Sequence, residues 1–317
     1  MRKIKIGFTD FWEGFDVYDN FIVDALITNY DLEISSQPDY LFYSLFGNSH
    51  LEYNCIKILF SGENISPDFS ACDYAIGSDY IEFGRRYLRH PLYVTYKAFD
   101  NLEHRQFPSD KMLLDREFCS FVVSNSKYAD PIREAFFFEL SKYKKIASGG
   151  RLYNNVGGAV ADKLDFISRY KFNIAFENSA YDGYTTEKIV EPFSVNTLPL
   201  YWGNPLVKRD FNENAFVDIS SFSSIADAVS YVIELDKNDA LYLKALKAHC
   251  LTIENTYLKR KKELMSFLSS IIEKDIAEAR ILPQYGFSKF YSDKKSQTQH
   301  VLNKFIRVKN AFFKKKK

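Results

Sequence analysis

Short apolar runs that each stop at small or polar loop residues constrain this chain more than any other feature. Residues 4–8 meet Thr9 and Asp10, residues 57–60 meet Ser61 and Gly62, residues 74–76 meet Gly77, and residues 40–45 have the same form. A helical pattern occupies 17–30 between two of them. Strands alternating with helices lay down parallel sheets with helical layers, the α/β class. Ligands of such sheets gather outside the carboxyl ends of the strands, so the loops after these runs are the places to look for chemistry.

A second series follows the polar stretch 100–115. Residues 118–123 form a short continuous apolar run consistent with a buried strand. Ala129-Asp130-Pro131 then marks a helix start, with Asp130 as N-cap and Pro131 in the first turn. A glycine-bearing loop spans 149–158, further strands are expected at 172–176 and 197–202, and Gly203-Asn204-Pro205 breaks the last. The 317 residues thus divide into two α/β halves, 1–116 and 117–270, with a change of character over 271–317.

Charge is distributed unevenly. The net charge is +1, yet from Lys294 onward there are nine basic residues and no acidic one, which leaves 33 basic against 41 acidic residues in the body. An acidic body argues against a general nucleic-acid binder, whereas a basic end suits an anionic surface such as lipid headgroups. Val301, Leu302, Phe305, Val308 and Phe312 fall at helical spacing, with Lys304, Arg307 and Lys309 elsewhere on the wheel, so residues 294–317 are expected to form a basic amphipathic helix. A helix docked on the body or a solvated tail is the alternative. The 29 Phe, 22 Tyr and 2 Trp are either core or a stacking surface for sugars or bases.

Four cysteines without CxxC spacing argue against a zinc ribbon or disulfide scaffold. Residues 1–10 lack the apolar stretch of a secretory signal, and no run approaches the roughly 20 apolar residues that span a bilayer, so a cytoplasmic location is expected. Asp-x-Asp, a phosphate-binding GxxxxGK[ST] loop and Gly-x-Ser-x-Gly are all missing, and the five histidines show no ligand spacing. Metalloenzyme, P-loop nucleotidase and serine hydrolase readings lose ground accordingly.

The richest chemistry lies between 172 and 205. A strand ends in Phe176-Glu177-Asn178-Ser179, a loop holds Asp182-Gly183-Tyr184, and Thr185-Thr186-Glu187-Lys188 opens a helix. A helix start beyond a strand end presents bare N–H groups to anions, a placement that suits a nucleotide diphosphate. Lys188 and, after Pro131, Arg133 are cations in first helical turns, where the helix dipole disfavours them; each is either a solvated surface residue or a phosphate ligand. Glu187 can accept two ribose hydroxyls or simply start its helix. Glu63, after the strand 57–60, is either a general base on an acceptor hydroxyl or a loop carboxylate.

These residues carry a family resemblance. Phe176-Glu177-Asn178-Ser179, Gly183-Tyr184, Thr186-Glu187-Lys188-Ile189 and Leu198-Pro199-Leu200-Tyr201-Trp202-Gly203-Asn204-Pro205 resemble the donor signature of glycosyltransferase family 10, the α-1,3/4-fucosyltransferases, and are closest to its bacterial, cytoplasmic-side members. Ser61-Gly62-Glu63-Asn64-Ile65-Ser66-Pro67, Asp73-Tyr74-Ala75-Ile76-Gly77, Arg86-Tyr87-Leu88-Arg89, Phe121-Val122-Val123-Ser124-Asn125 and residues 211–217 extend the likeness over about 1–265. The resemblance implies a GT-B architecture: two facing Rossmann-like domains, an acceptor-binding one over 1–116 and a GDP-fucose-binding one over 117–270, with a cleft between them. It implies inverting transfer of L-fucose from GDP-β-L-fucose to the 3-hydroxyl of GlcNAc in a Galβ1,4GlcNAc acceptor, such as a lipopolysaccharide chain, with no cofactor or metal required. Glu63 then resembles the general base, Arg133 and Lys188 the cations on the leaving diphosphate, Glu187 the ribose ligand, and Asn178 and Tyr184 further donor contacts. An α-1,4 or mixed linkage, another nucleotide sugar, or a non-catalytic glycan- or nucleotide-binding module are the alternatives. Pro192, inside the helix that Glu187 opens, departs from the family pattern and predicts a small kink, and the tail lacks the leucine-containing heptad repeats of some bacterial relatives.

Overall fold

The computed structural model describes residues 1–124, 126–283 and 285–314, with the side chains of 300, 303 and 306–314 left aside. Asn125, Lys315, Lys316 and Lys317, and the side chains of Arg307, Val308, Lys309 and Phe312 on which part of the expected amphipathic pattern rests, lie outside the described residues.

The first sheet holds β1 (Arg2–Thr9), β2 (Tyr30–Ile34), β3 (Tyr40–Tyr43), β4 (Ile56–Phe60), β5 (Tyr74–Gly77) and β6 (Tyr87–Arg89) in the order β2-β1-β3-β4-β5-β6. The second holds β7 (Glu117–Phe121), β8 (Ile146–Ser148), β9 (Tyr170–Phe176), β10 (Leu198–Trp202) and β11 (Val217–Asp218) in the order β11-β10-β9-β7-β8. Every pairing between these strands is parallel. Central β9 is buried at all seven positions, the continuous apolar run that a strand covered on both faces requires. The expected two-sheet α/β architecture is what the chain adopts.

Each sheet has its own apolar core, and two segments cross between the units. Tyr93, Val94, Phe99 and Leu102, which follow β6, are buried with Ile189, Phe193, Tyr201 and Phe211 of the second unit. In return, the helix Tyr257–Ile272 lays Leu264, Leu268, Ile271 and Ile272 against Ile4, Ile6, Tyr40 and Ile58 of the first sheet. The sequence division at 116 and 270 does not show this exchange, because apolar periodicity reports which face of a helix is buried but not against what.

A clasp of charge sits where the segments cross. The Asp210 carboxylate takes a two-pronged contact from Arg89, at 3.0 and 2.6 Å, and a further bond from Arg260 at 3.1 Å. Asn255 joins it, donating to the Asp210 carbonyl at 2.9 Å while its own oxygen accepts from Tyr93 at 2.9 Å and from Arg260 at 3.0 Å. Burial pulls the Arg89 pKa down, but the bonds to Asp210 outweigh it and leave the guanidinium above its ordinary value.

After the short helix Ile276–Ala279, the chain ends in one helix, Gly286–Lys314. Its start is tied to the first unit by Lys295 with Asp68 and by the Ser296 hydroxyl on the Leu51 carbonyl at 3.4 Å. Further along, Val301, Leu302 and Phe305 are exposed. Among the described residues, no helix is long and apolar enough to cross a membrane.

Candidate active site

Between the carboxyl ends of the two sheets lies a cavity of about 290 Å³ lined by Glu63, Asn178, Tyr184, Glu187 and Lys188, together with Thr186, Trp12, Phe46, Leu92 and Tyr96. Five of the six residues singled out from the sequence therefore meet in one place. Glu63 follows β4, and the Tyr184 hydroxyl of the second unit donates to its Oε2 at 3.3 Å. Tyr184 is itself buried, and that burial pushes its phenol pKa well up, so it stays a neutral donor.

Lys188 stands in the first turn of the helix Glu187–Ser194. It is not the solvated cation of a bare helix start: its ammonium lies 3.3 Å from Glu177, 3.3 Å from Glu187 and 3.0 Å from the Thr186 hydroxyl. Burial lowers the Lys188 pKa, but Glu177 and then Glu187 more than reverse this and hold the ammonium charged. Burial likewise raises Glu187, yet Lys188 and Lys163 outweigh it and keep that carboxyl below its usual range. The pair is a preorganised charged patch on the cavity wall.

Glu177, at the end of β9, holds the helix start in place. It is completely buried, its two oxygens taking the Thr186 amide at 2.8 Å and the Thr186 hydroxyl at 2.7 Å. Burial drives its pKa up, with Lys188 the main counterweight. A carboxylate in this position orients both Thr186 and Lys188. The backbone must come close to admit it: Gly203 has φ 156°, and a Cβ there would stand 2.4 Å from Glu177 Cγ.

The loop between β9 and this helix is shaped by Asn204, whose oxygen accepts from the Gly183 amide at 2.8 Å and whose nitrogen donates to Thr185 at 3.0 Å. Gly183 has φ 88°, and a Cβ on it would lie 2.1 Å from the Ser78 carbonyl of the first unit. The loop thus abuts the opposite unit through bare backbone. Two side-chain bonds reinforce the contact, from Asn64 to the Ser179 hydroxyl at 2.7 Å and between the Ser66 and Tyr181 hydroxyls at 2.7 Å. Pro192 is accommodated inside the helix, and its carbonyl accepts from the Thr197 amide at 2.9 Å.

Arg133 is the sixth residue and does not line the cavity. It begins the helix Ile132–Ser141, is 1% exposed, and donates to the Phe176 carbonyl at 3.0 Å and to the Asn178 side chain at 2.8 Å. Burial lowers its pKa, and its Nε is buried with no partner among the described residues. It stands behind Asn178, one side chain removed from the cavity. Among the described residues, no group of three or more His, Cys, Asp or Glu is placed to hold a metal ion.

Comparison with known proteins now decides the family. Residues 6–96 match the family model of the alpha-(1,3)-fucosyltransferase FucT N-terminal domain, and residues 114–273 match that of the glycosyltransferase family 10 (fucosyltransferase) C-terminal region. The chain belongs to glycosyltransferase family 10. The family-10 chain is 32% identical to the alpha-(1,3)-fucosyltransferase FucT of Helicobacter pylori, an alignment that takes in 86% of this chain and 66% of that protein. Its fold matches a crystal structure of an alpha1,3-fucosyltransferase with a TM-score of 0.77 at 29% identity, covering 90% of this chain and 93% of the other. A crystal structure of alpha1,3-fucosyltransferase with GDP-fucose matches with a TM-score of 0.75 at 30% identity, covering 90% and 94%. This family-10 chain therefore spans most of those crystallised chains, but just under two thirds of the curated Helicobacter relative.

Proposed function

We propose that this family-10 chain is an inverting α-1,3-fucosyltransferase that moves L-fucose from GDP-β-L-fucose to the 3-hydroxyl of GlcNAc in a Galβ1,4GlcNAc-type acceptor, such as a lipopolysaccharide chain. The observation that carries the reading is that Glu63 of the first unit faces Tyr184, Glu187 and Lys188 of the second across one cavity. Residues 1–116 hold the acceptor and residues 117–270 the donor. The Glu63 carboxylate takes the proton from the acceptor oxygen as that oxygen forms its bond to the anomeric carbon. The bond from that carbon to the β-phosphate breaks on the opposite face, so configuration inverts and GDP leaves with the electron pair. Lys188, held charged by Glu177, meets the charge that grows on the leaving diphosphate; such preorganised donors are worth about 10²- to 10³-fold each in rate. Glu187 takes the ribose hydroxyls, Asn178 and Tyr184 touch the donor, and Arg133 acts on the diphosphate from behind Asn178. No metal or other cofactor is needed in this scheme.

Turnover of GDP-fucose with N-acetyllactosamine tests the reading, with product linkage assigned by NMR. Formation of the α-1,3-linked product is expected. A protein that binds GDP yet makes no product would instead be a nucleotide-binding module, and an α-1,4-linked or non-fucosyl product would correct the linkage or the donor.

The final helix supports a peripheral role at the cytoplasmic face of a membrane. Its Val301, Leu302 and Phe305 are exposed in a segment with no acidic residue from Lys294 on. An apolar stripe with flanking lysines is the pattern that settles at an anionic lipid interface. Truncation after Asp293 is expected to abolish co-sedimentation with vesicles containing phosphatidylglycerol while leaving turnover of a soluble acceptor unchanged. Equal sedimentation of both forms would refute it.

A further inference from the structure

The active-site cavity has two neighbouring cavities that share lining residues in series. Trp12, on its wall, also lines a second cavity of about 260 Å³ with Phe15, Asp16, Asp19, Asn20, Phe21 and Thr95. Asp19, Asn20, Phe21 and Thr95 line in turn a third cavity of about 230 Å³, which ends at Tyr257 and Lys261 of the returning helix. Each of the three is smaller than the roughly 300 Å³ at which ligand pockets begin, so a ligand of ordinary size would run through more than one of them.

The far cavity is polar, with Asp19, Asp24 and Lys97 solvent-exposed and Asp100 half-buried. Asp19, Asp24, Lys97 and Asp100 line it, and none of their charged atoms makes a hydrogen bond or an ion pair with another described residue. Three carboxylates against Lys97 and Lys261 leave the formal charge close to balance, so the cavity favours a neutral ligand rich in donors and acceptors over an ion. His90 contributes to the same wall, is 2% exposed and leaves Nδ1 without a partner, although an unpaired buried polar atom is costly. Burial, followed by Arg260 and Arg89, pulls its pKa down to about 3, so the ring is a neutral imidazole.

We infer that the three cavities act as one groove that binds further sugar residues of an oligosaccharide acceptor, with the carboxylates of Asp24 and Asp100 as specificity-determining hydrogen-bond acceptors for hydroxyls remote from the reacting one. Trp12 gives a ring face between the catalytic and the far cavity, on which an intervening sugar rests. The inference builds on the transfer reaction proposed above and adds that the preferred substrate is a chain longer than a disaccharide.

The test compares kcat/KM for N-acetyllactosamine and for a hexasaccharide of three such repeats, in the wild-type protein and in the Asp24→Ala/Asp100→Ala double variant. In the wild type the hexasaccharide is expected to be favoured by about tenfold, equivalent to about 1.4 kcal/mol of extra binding in the transition state. In the variant that preference falls to about twofold or less, while kcat/KM for the disaccharide, which also reports that the protein is folded, stays at the wild-type value. Equal use of both acceptors by the wild type overturns the inference, as does a variant that keeps its preference or loses both activities together. Absence of disaccharide and hexasaccharide turnover alike in the wild type would instead remove the proposed reaction itself.

Discussion

Glu63→Gln is expected to lower kcat with GDP-fucose and N-acetyllactosamine by about 10²- to 10⁴-fold, the usual contribution of a positioned general base. The amide keeps the size of the side chain and an oxygen for the Tyr184 hydroxyl, now 3.3 Å from the carboxylate, so the cavity should keep its shape. It has no basic site to take the acceptor proton. The Kd for GDP should therefore change little, because Lys188, Glu187 and Glu177 are untouched. Rapid-quench measurement of a single turnover separates the two effects. Wild-type kcat in the Gln variant would take the general-base role away from Glu63 and leave it a neighbour of the donor site.

The largest effect on stability is expected at the crossing of the two units. Asp210→Ala leaves Arg89 and Arg260 facing each other without their shared carboxylate, in a place where side-chain exposure of all three is 14% or less. Removing one partner of a buried ion pair costs about 3–5 kcal/mol, mostly because the remaining charge is stranded. Arg89 is left without a carboxylate while Arg260 keeps Glu263 at 3.2 Å, so a loss near the lower end, about 3 kcal/mol, is expected from the urea midpoint. A companion variant, Arg89→Met with Asp210→Leu, removes the strongest pair as a unit and should recover much of the loss. A fall of under 1 kcal/mol for Asp210→Ala would place the clasp among solvent-screened surface pairs.

The sequence speaks unevenly about such features. β9 and β10 are legible because a buried parallel strand must be apolar at every position, and so, to within one residue, is the start of the helix Ile132–Ser141: the cap is Pro131 rather than the expected Asp130, whose carboxylate still accepts from the Ile132 amide at 2.9 Å. β2, β8 and β11 are not: one is an edge strand with Asp31 and Glu33 on it, and the others have three and two residues, too short for any period to show. Among the site residues, Glu63, Asn178, Tyr184, Glu187 and Lys188 converge because they occupy strand ends and helix starts, positions the topology brings together. Arg133 shares that address but is turned inward to the Phe176 carbonyl, since its helix packs beneath the end of β9. Glu177 escaped a role because a carboxylate at a strand end reads as exposed; the one signal was a fully apolar strand running directly into it, with Thr186 and Lys188 in reach after the loop.

The exchange of segments also fixes the order in which this chain can be finished on the ribosome. The first sheet emerges first, yet Leu264, Leu268, Ile271 and Ile272 complete its core only after the whole second unit has been made. Until then Ile4, Ile6, Tyr40 and Ile58 lack part of their cover, an exposure that invites association with other nascent chains. The N-terminal half is thus the last to mature, and closing it is also what places Arg260 on Asp210. The cleft therefore takes its final shape only once residues 257–272 have returned to the first sheet.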